Sequence, residues 1–236
     1  MTAFVIAHGA WSSGWAWKKM RPLMRALGHE LFTPSYTGQG ERVHLAHPDI
    51  DLDTHITDVL NVLHYEDLHD VILLGHSYGG MVATGVADRV ADRVSQLVYL
   101  DAFVPRNGQS VLSLQPEVAR QRLREAVRLQ GDGWRLPANP MPPDTSPQDF
   151  AWATPKRVMQ PFKTFEQAIV LTDGAGAATL PTAYIYCTQP GPGDVFRQFA
   201  DRARAEPDWR YFEMQASHNP HITVPDALMR VLQSLL

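Results

Sequence analysis

The chain has a single cysteine, Cys187, among 236 residues, so no internal disulfide can form. Such sparse cysteine usage suits a reducing compartment, and the cytoplasm is the expected location. Lying in a strand-like run, Cys187 itself reads as a small buried hydrophobe. No apolar stretch approaches the ~20 residues needed to cross a bilayer. Strand-like sequence starts at Ala3, so neither a cleaved leader nor a membrane partner is expected. Basic charge is not in surplus either. The formal charge is −4 with no basic run, which removes nucleic acid from the expected partners. Ten histidines are present, but no H-E-x-x-H or comparable ligand set occurs. His44, His47, His55, His64 and His69 read as scattered through loops and solvated helix faces, so no metal is expected.

What remains is an ordinary globular composition, 44% hydrophobic, with the length of one domain spanning 1–236. Short apolar runs at 3–7, 30–33, 71–74, 96–100, 182–187 and 209–214 alternate with helical patterns at 15–27, 54–64, 80–89, 195–206 and 226–236. That alternation predicts an α/β protein whose mainly parallel sheet is covered by helices on both faces. Residues 105–180 break the rhythm. They hold a charged amphipathic helix at 116–129, a proline-dense stretch at 137–147, and a shorter helical pattern at 164–171 that stops at Asp173-Gly174. Prolines stiffen the segment and prevent one continuous helix. Trp134, Met141, Trp152, Met159 and Phe162 give it an apolar side, so it reads as a cap over the sheet edge where open α/β folds bind ligands.

The chemistry is concentrated at Gly75-His76-Ser77-Tyr78-Gly79-Gly80, directly behind Val71-Ile72-Leu73-Leu74. A buried strand that ends in G-x-S-x-G and turns into a helix is a nucleophile elbow. Glycines two before and two after Ser77 remove the Cβ atoms that would clash where strand and helix converge. Two further signals stand in the right order. His8-Gly9-Ala10-Trp11 follows the first strand as an oxyanion-type loop, and His218 follows the last strand. A serine hydroxyl is a weak nucleophile at neutral pH and needs such a base. His221, three residues later, competes with His218 for that role.

These motifs resemble the α/β-hydrolase superfamily, within it the small esterases of the plant methylesterase and hydroxynitrile-lyase type and their bacterial relatives. The likeness rests on H-G-A-W-x-x-x-W-x-W from His8 to Trp17, G-H-S-x-G-G from Gly75 to Gly80, and L-V-Y-L-D-A-F-V-P from Leu97 to Pro105. It extends to Y-I-Y-C-T from Tyr184 to Thr188 and to Ser217-His218. The resemblance implies a six-stranded core sheet with a mainly helical cap. It favours His218 over His221 and assigns two oxyanion donors, the backbone N–H groups of Ala10 and Tyr78.

The triad acid has two candidates. Asp101 ends the fourth strand, where some members of the superfamily carry their acid, and a carboxylate there is costly unless paired. Asp194 follows the fifth strand, beyond Pro190-Gly191-Pro192-Gly193, and is the second choice because it could simply cap a helix. The implied activity is hydrolysis of small, largely apolar carboxylic esters through an acyl-enzyme, without a cofactor. The expected partner is a small-molecule ester, and a homodimer is compatible with the sequence. Lyases of this group carry threonine where this chain has Gly9, and lysine where it has Asn219, so cyanohydrin chemistry is disfavoured. A receptor-like role and a cofactor-free perhydrolase or haloperoxidase are the alternatives.

Overall fold

The computed structural model describes residues 1–172, 176–189, 191 and 194–236; the expected stop at Asp173-Gly174 and three residues of the 190–193 run lie outside them. The chain runs β1 (Ala3–Ala7), α1 (Met20–Ala26), β2 (Glu30–Phe32), α2 (Leu52–Tyr65), β3 (Val71–His76), α3 (Gly79–Arg89) and β4 (Val94–Leu100). It continues through α4 (Glu117–Gln130), β5 (Arg135–Leu136), α5 (Pro147–Ala153), β6 (Gln160–Pro161) and α6 (Lys163–Glu166). The last part is β7 (Thr182–Cys187), α7 (Arg197–Ala205), β8 (Trp209–Met214), α8 (Pro220–Thr223) and α9 (Pro225–Gln233).

The main sheet has the order β2-β1-β3-β4-β7-β8, and every pairing in it is parallel. Its inner strands, β1, β3, β4 and β7, are largely apolar runs because both faces are buried. On one face Val5, Leu73, Tyr99 and Tyr184 pack with Leu52, Ile56 and Val59 of α2, Met81 and Val82 of α3, and Phe199 of α7. On the other, Phe4, Ile6, Leu74, Val98 and Ile185 pack with Trp17, with Met20 and Met24 of α1, and with Leu228 and Leu232 of α9. Strand register aligns the carboxyl ends that matter. Gly75 pairs with Tyr99 and His76 with Leu100, so the turns after β3 and β4 lie side by side. No described helix is long and apolar enough to cross a membrane.

Two expected helices differ. The pattern at 15–27 splits into a 3₁₀ turn, Gly14–Trp17, and α1. Pro22 has no N–H for the carbonyl of Lys18 and its ring would clash there, so one helix cannot run through. The pattern at 164–171 yields only the four residues of α6. Beyond it the backbone pairs with another segment, Ile169 N–H to Gln109 O at 2.8 Å and Gly108 N–H to Ile169 O at 2.9 Å. Tertiary pairing overrides local periodicity there.

Between β4 and β7 the insert contains a feature the sequence did not announce. β5 and β6 form a two-stranded antiparallel ribbon in which Leu136 pairs with Gln160. The proline-dense stretch leads into α5, whose start is fixed by Ser146, its hydroxyl accepting from Asp149 N–H at 3.1 Å.

Candidate active site

The elbow is held by contact from three sides. Ser77 has φ 57°, a left-handed conformation that costs a non-glycine residue roughly 1–3 kcal/mol unless its surroundings impose it. A Cβ on Gly75 would lie 2.7 Å from Gly79 O, one on Gly79 1.9 Å from Ala7 O, and one on Gly80 2.0 Å from Phe103 O. Helix α3 is thus pressed against β1, its own strand and the loop after β4. Two backbone bonds tie the turn to β4 and the loop after it: Ser77 N–H to Leu100 O at 3.3 Å and Phe103 N–H to Ser77 O at 3.2 Å.

His218, on the loop after β8, lies between Asp101 and Ser77. Its Nδ1 is 2.7 Å from Asp101 Oδ2 and its Nε2 is 2.9 Å from Ser77 Oγ. A carboxylate only accepts, so the neutral ring carries its proton on Nδ1 and presents the Nε2 lone pair to the serine hydroxyl. Asp101 is buried, with φ 43°, and its Oδ1 accepts from Cys187 N–H at 3.2 Å. Three supports orient His218. Its carbonyl accepts from His76 Nε2 at 2.7 Å, and its ring stacks on Phe196 with centroids 4.8 Å apart. The N–H and hydroxyl of the preceding Ser217 both donate to Asp144 of the insert.

The competing residues are occupied elsewhere. Asp194 accepts from the Tyr186 hydroxyl and from the N–H groups of Phe196 and Arg197 at 3.2 and 3.1 Å, which commits it to the turn that enters α7. His221 is buried and stacked on Trp17, 4.5 Å between centroids, and burial pushes its pKa down to about 3. His76 lies behind His218, its pKa well below the usual histidine value because it is buried.

Gly9 brings the first loop onto Ser77, since a Cβ there would be 3.1 Å from Ser77 Cβ and 2.9 Å from His76 Nδ1. His8 Nδ1 donates to Gly9 O at 2.9 Å, while its Nε2 accepts from Tyr36 N–H at 3.2 Å. Both bonds require the neutral ring, and burial keeps its pKa at about 4. The Gly9 carbonyl and the Ala10 N–H belong to one planar peptide, so tethering the carbonyl turns the N–H the opposite way. Among the described residues, neither Ala10 N–H nor Tyr78 N–H meets an acceptor.

His55 corrects the sequence reading. It is fully buried rather than on a solvated face, with a pKa lowered to about 3 by burial. Its Nε2 donates to Thr37 O at 3.1 Å and its Nδ1 accepts from the Tyr78 hydroxyl at 3.0 Å. Tyr36 stacks between His8 and His55, with centroids 3.7 and 4.5 Å away. The signal was present in the sequence: His55 stands three residues after Leu52 and four before Val59, on the apolar stripe of α2. Asp144, Phe196 and Gln160 carried no such signal. The insert roofs this cluster, with Phe165 stacked on Tyr78 at 5.6 Å, and Ser77 is 9% exposed. An open groove of about 830 Å³ lies at the opposite sheet edge, beside Glu30, Asp70, Gln96 and Arg210, and holds none of these groups.

A strained elbow serine, a histidine between it and a buried carboxylate, and two unengaged backbone donors make the architecture of a serine hydrolase. The chain belongs to the alpha/beta hydrolase family, whose model matches residues 4–231. It is 38% identical over 245 residues to a carbendazim hydrolyzing esterase of Nocardioides sp. (strain SG-4G), across the full length of both chains. It is 32% identical over 142 residues to methylesterase 2 of Arabidopsis thaliana, covering 56% of this chain and 48% of that one. Among solved structures it superposes on an extracellular alpha/beta-hydrolase from a Paenibacillus species with a TM-score of 0.86. That pair is 24% identical over 99% of this chain and 98% of the other, a likeness of fold.

Proposed function

We propose that the protein hydrolyses small, largely apolar carboxylic esters through an acyl-enzyme formed on Ser77. The observation that carries this reading is the unbroken contact Asp101–His218–Ser77, at 2.7 and 2.9 Å. Ser77 Oγ attacks the ester carbonyl as its proton passes to His218 Nε2, and Asp101 stabilises the imidazolium that results. The carbonyl oxygen becomes an oxyanion facing the Ala10 and Tyr78 N–H groups. Collapse expels the alcohol with the proton from His218. Water then repeats the sequence on the acyl-enzyme and releases the acid.

Residues 105–180 act as the lid of a single domain, 1–236, and the rings of Phe196, stacked on His218, and Phe165, stacked on Tyr78, set aromatic surface beside the triad, which suits an apolar substrate. The esterase relatives support the same chemistry. Lyase chemistry is disfavoured on packing, because a threonine at position 9 would bring its Cβ within 3.1 Å of Ser77 Cβ. The cytoplasmic location rests on cysteine usage.

The test is Ser77→Ala. It should leave the fold intact and lower turnover of short-chain aryl esters at least about 10³-fold, and a fluorophosphonate should label the wild type at Ser77. Near-normal turnover by the variant would end the reading.

A further inference from the structure

A clamp from the insert holds Trp11 beside the site. Trp11, next to Ala10, has φ 58°, and for so bulky a side chain that conformation persists only where neighbours impose it. Two bonds do so, and both come from one register pair of the insert's ribbon. Trp11 N–H donates to Gln160 Oε1 at 3.2 Å, and the indole Nε1–H donates to Leu136 O at 3.0 Å. Leu136 and Gln160 are paired partners on β5 and β6. The ring is further enclosed by Phe165, 6.0 Å between centroids, and by the Arg157 guanidinium 5.8 Å above it.

Gln160 is 1% exposed and its amide has a fixed sense. Its Nε2 donates to Thr164 Oγ1 at 2.9 Å, and that hydroxyl already donates to Pro161 O at 2.6 Å. Turning the amide over would set its NH₂ against Trp11 N–H and its oxygen against a hydroxyl whose proton is engaged. Gln160 therefore offers Trp11 an acceptor and nothing else.

We propose that Gln160 and Trp11 are positioning residues for the Ala10 oxyanion donor. The Gly9–Ala10 peptide is tethered from the core by His8, and the next peptide, Ala10–Trp11, is tethered from the insert by Gln160. With the planes on both sides of Ala10 fixed, the Ala10 N–H is held towards Ser77 before any charge develops. The ribbon thus completes the oxyanion hole as well as roofing the site, and the hole is assembled only while the ribbon is seated. This rests on the ester-hydrolase reading above.

The experiment compares Gln160→Met, which keeps length and removes the acceptor, with Gln160→Glu, whose carboxyl at this buried position is held neutral, so that it donates its O–H to Thr164 Oγ1 and keeps an acceptor facing Trp11. Steady-state kinetics use a short-chain aryl ester, and a trifluoromethyl ketone serves as a mimic of the tetrahedral oxyanion. Loss of a whole oxyanion donor costs about 10²–10³ in kcat, so a mis-aimed one should cost Gln160→Met roughly 10- to 100-fold. KM should stay within about twofold, and ketone affinity should fall by the same factor as kcat. Gln160→Glu should recover most of the loss. Should Gln160→Met fail to fold, as judged by thermal melting, Trp11→Phe keeps an aromatic ring beside Phe165 while removing the Leu136 bond, and should lower kcat several-fold at constant KM. The inference is overturned by wild-type kcat in Gln160→Met, by a loss that falls on KM, or by a Gln160→Glu as poor as Gln160→Met. These outcomes leave Ser77 labelling and wild-type turnover intact, whereas failure of the ester-hydrolase reading would remove both.

Discussion

Asp101→Asn is the sharpest test of the triad, because the carboxylate serves two donors and an amide can serve only one of them. Oδ1 accepts from Cys187 N–H at 3.2 Å and Oδ2 faces His218 Nδ1 at 2.7 Å. Cys187 N–H is a backbone group at the end of β7 and cannot turn away, so the asparagine oxygen must face it. The NH₂ then points at Nδ1 and makes that nitrogen an acceptor. The histidine proton moves to Nε2, where it confronts the Ser77 hydroxyl with a donor in place of a base. Geometry survives while the tautomer is wrong, which predicts a fall in kcat of up to about 10⁴-fold, equivalent to about 5 kcal/mol of transition-state stabilisation. Asp194→Asn keeps an acceptor for Phe196 and Arg197 N–H. It should alter kcat only a few-fold and leave stability nearly unchanged, since asparagine holds such a turn about as well as aspartate. Initial rates on a short-chain aryl ester, with thermal melts on both variants, separate the two. A dead Asp194→Asn beside a working Asp101→Asn would refute the assignment.

Three further expectations follow from the same contacts. His218→Ala should abolish turnover, while His221→Ala, outside the relay and stacked on Trp17, should lose roughly tenfold or less; the reverse order in initial-rate assays would move the base. Acid should destabilise the fold through buried histidines. His8, His55 and His221 have folded pKa values of about 4, 3 and 3 against 6.5 for the free side chain. A depressed histidine contributes fully above the unfolded value and loses that contribution as pH falls from 6.5 towards the folded one, by up to about 1.4 kcal/mol per pH unit for each group. Urea midpoints should therefore drop below pH 6.5, and His221→Phe should flatten the slope. Finally, cyanide release from mandelonitrile should stay negligible in the wild type, as a colorimetric cyanide assay would show.

The sheet and the elbow are legible in short stretches of sequence. Runs such as Val71-Ile72-Leu73-Leu74 are apolar on both faces because a covered parallel strand needs them to be, and Gly75, Gly79 and Gly80 stand where any Cβ would collide within 3 Å. Those requirements act over a few residues and leave a local pattern. Which carboxylate reaches the histidine does not. Asp101 and His218 are 117 positions apart, and the register of β3, β4 and β7 brings Asp101 to the ring while Asp194 is taken up by Tyr186 and the start of α7. The truncation of α6 and the Leu136–Gln160 ribbon are of the same kind. Each depends on a partner distant in the chain, whose burial and hydrogen bonding outweigh local propensity, so only the packed tertiary structure could decide them.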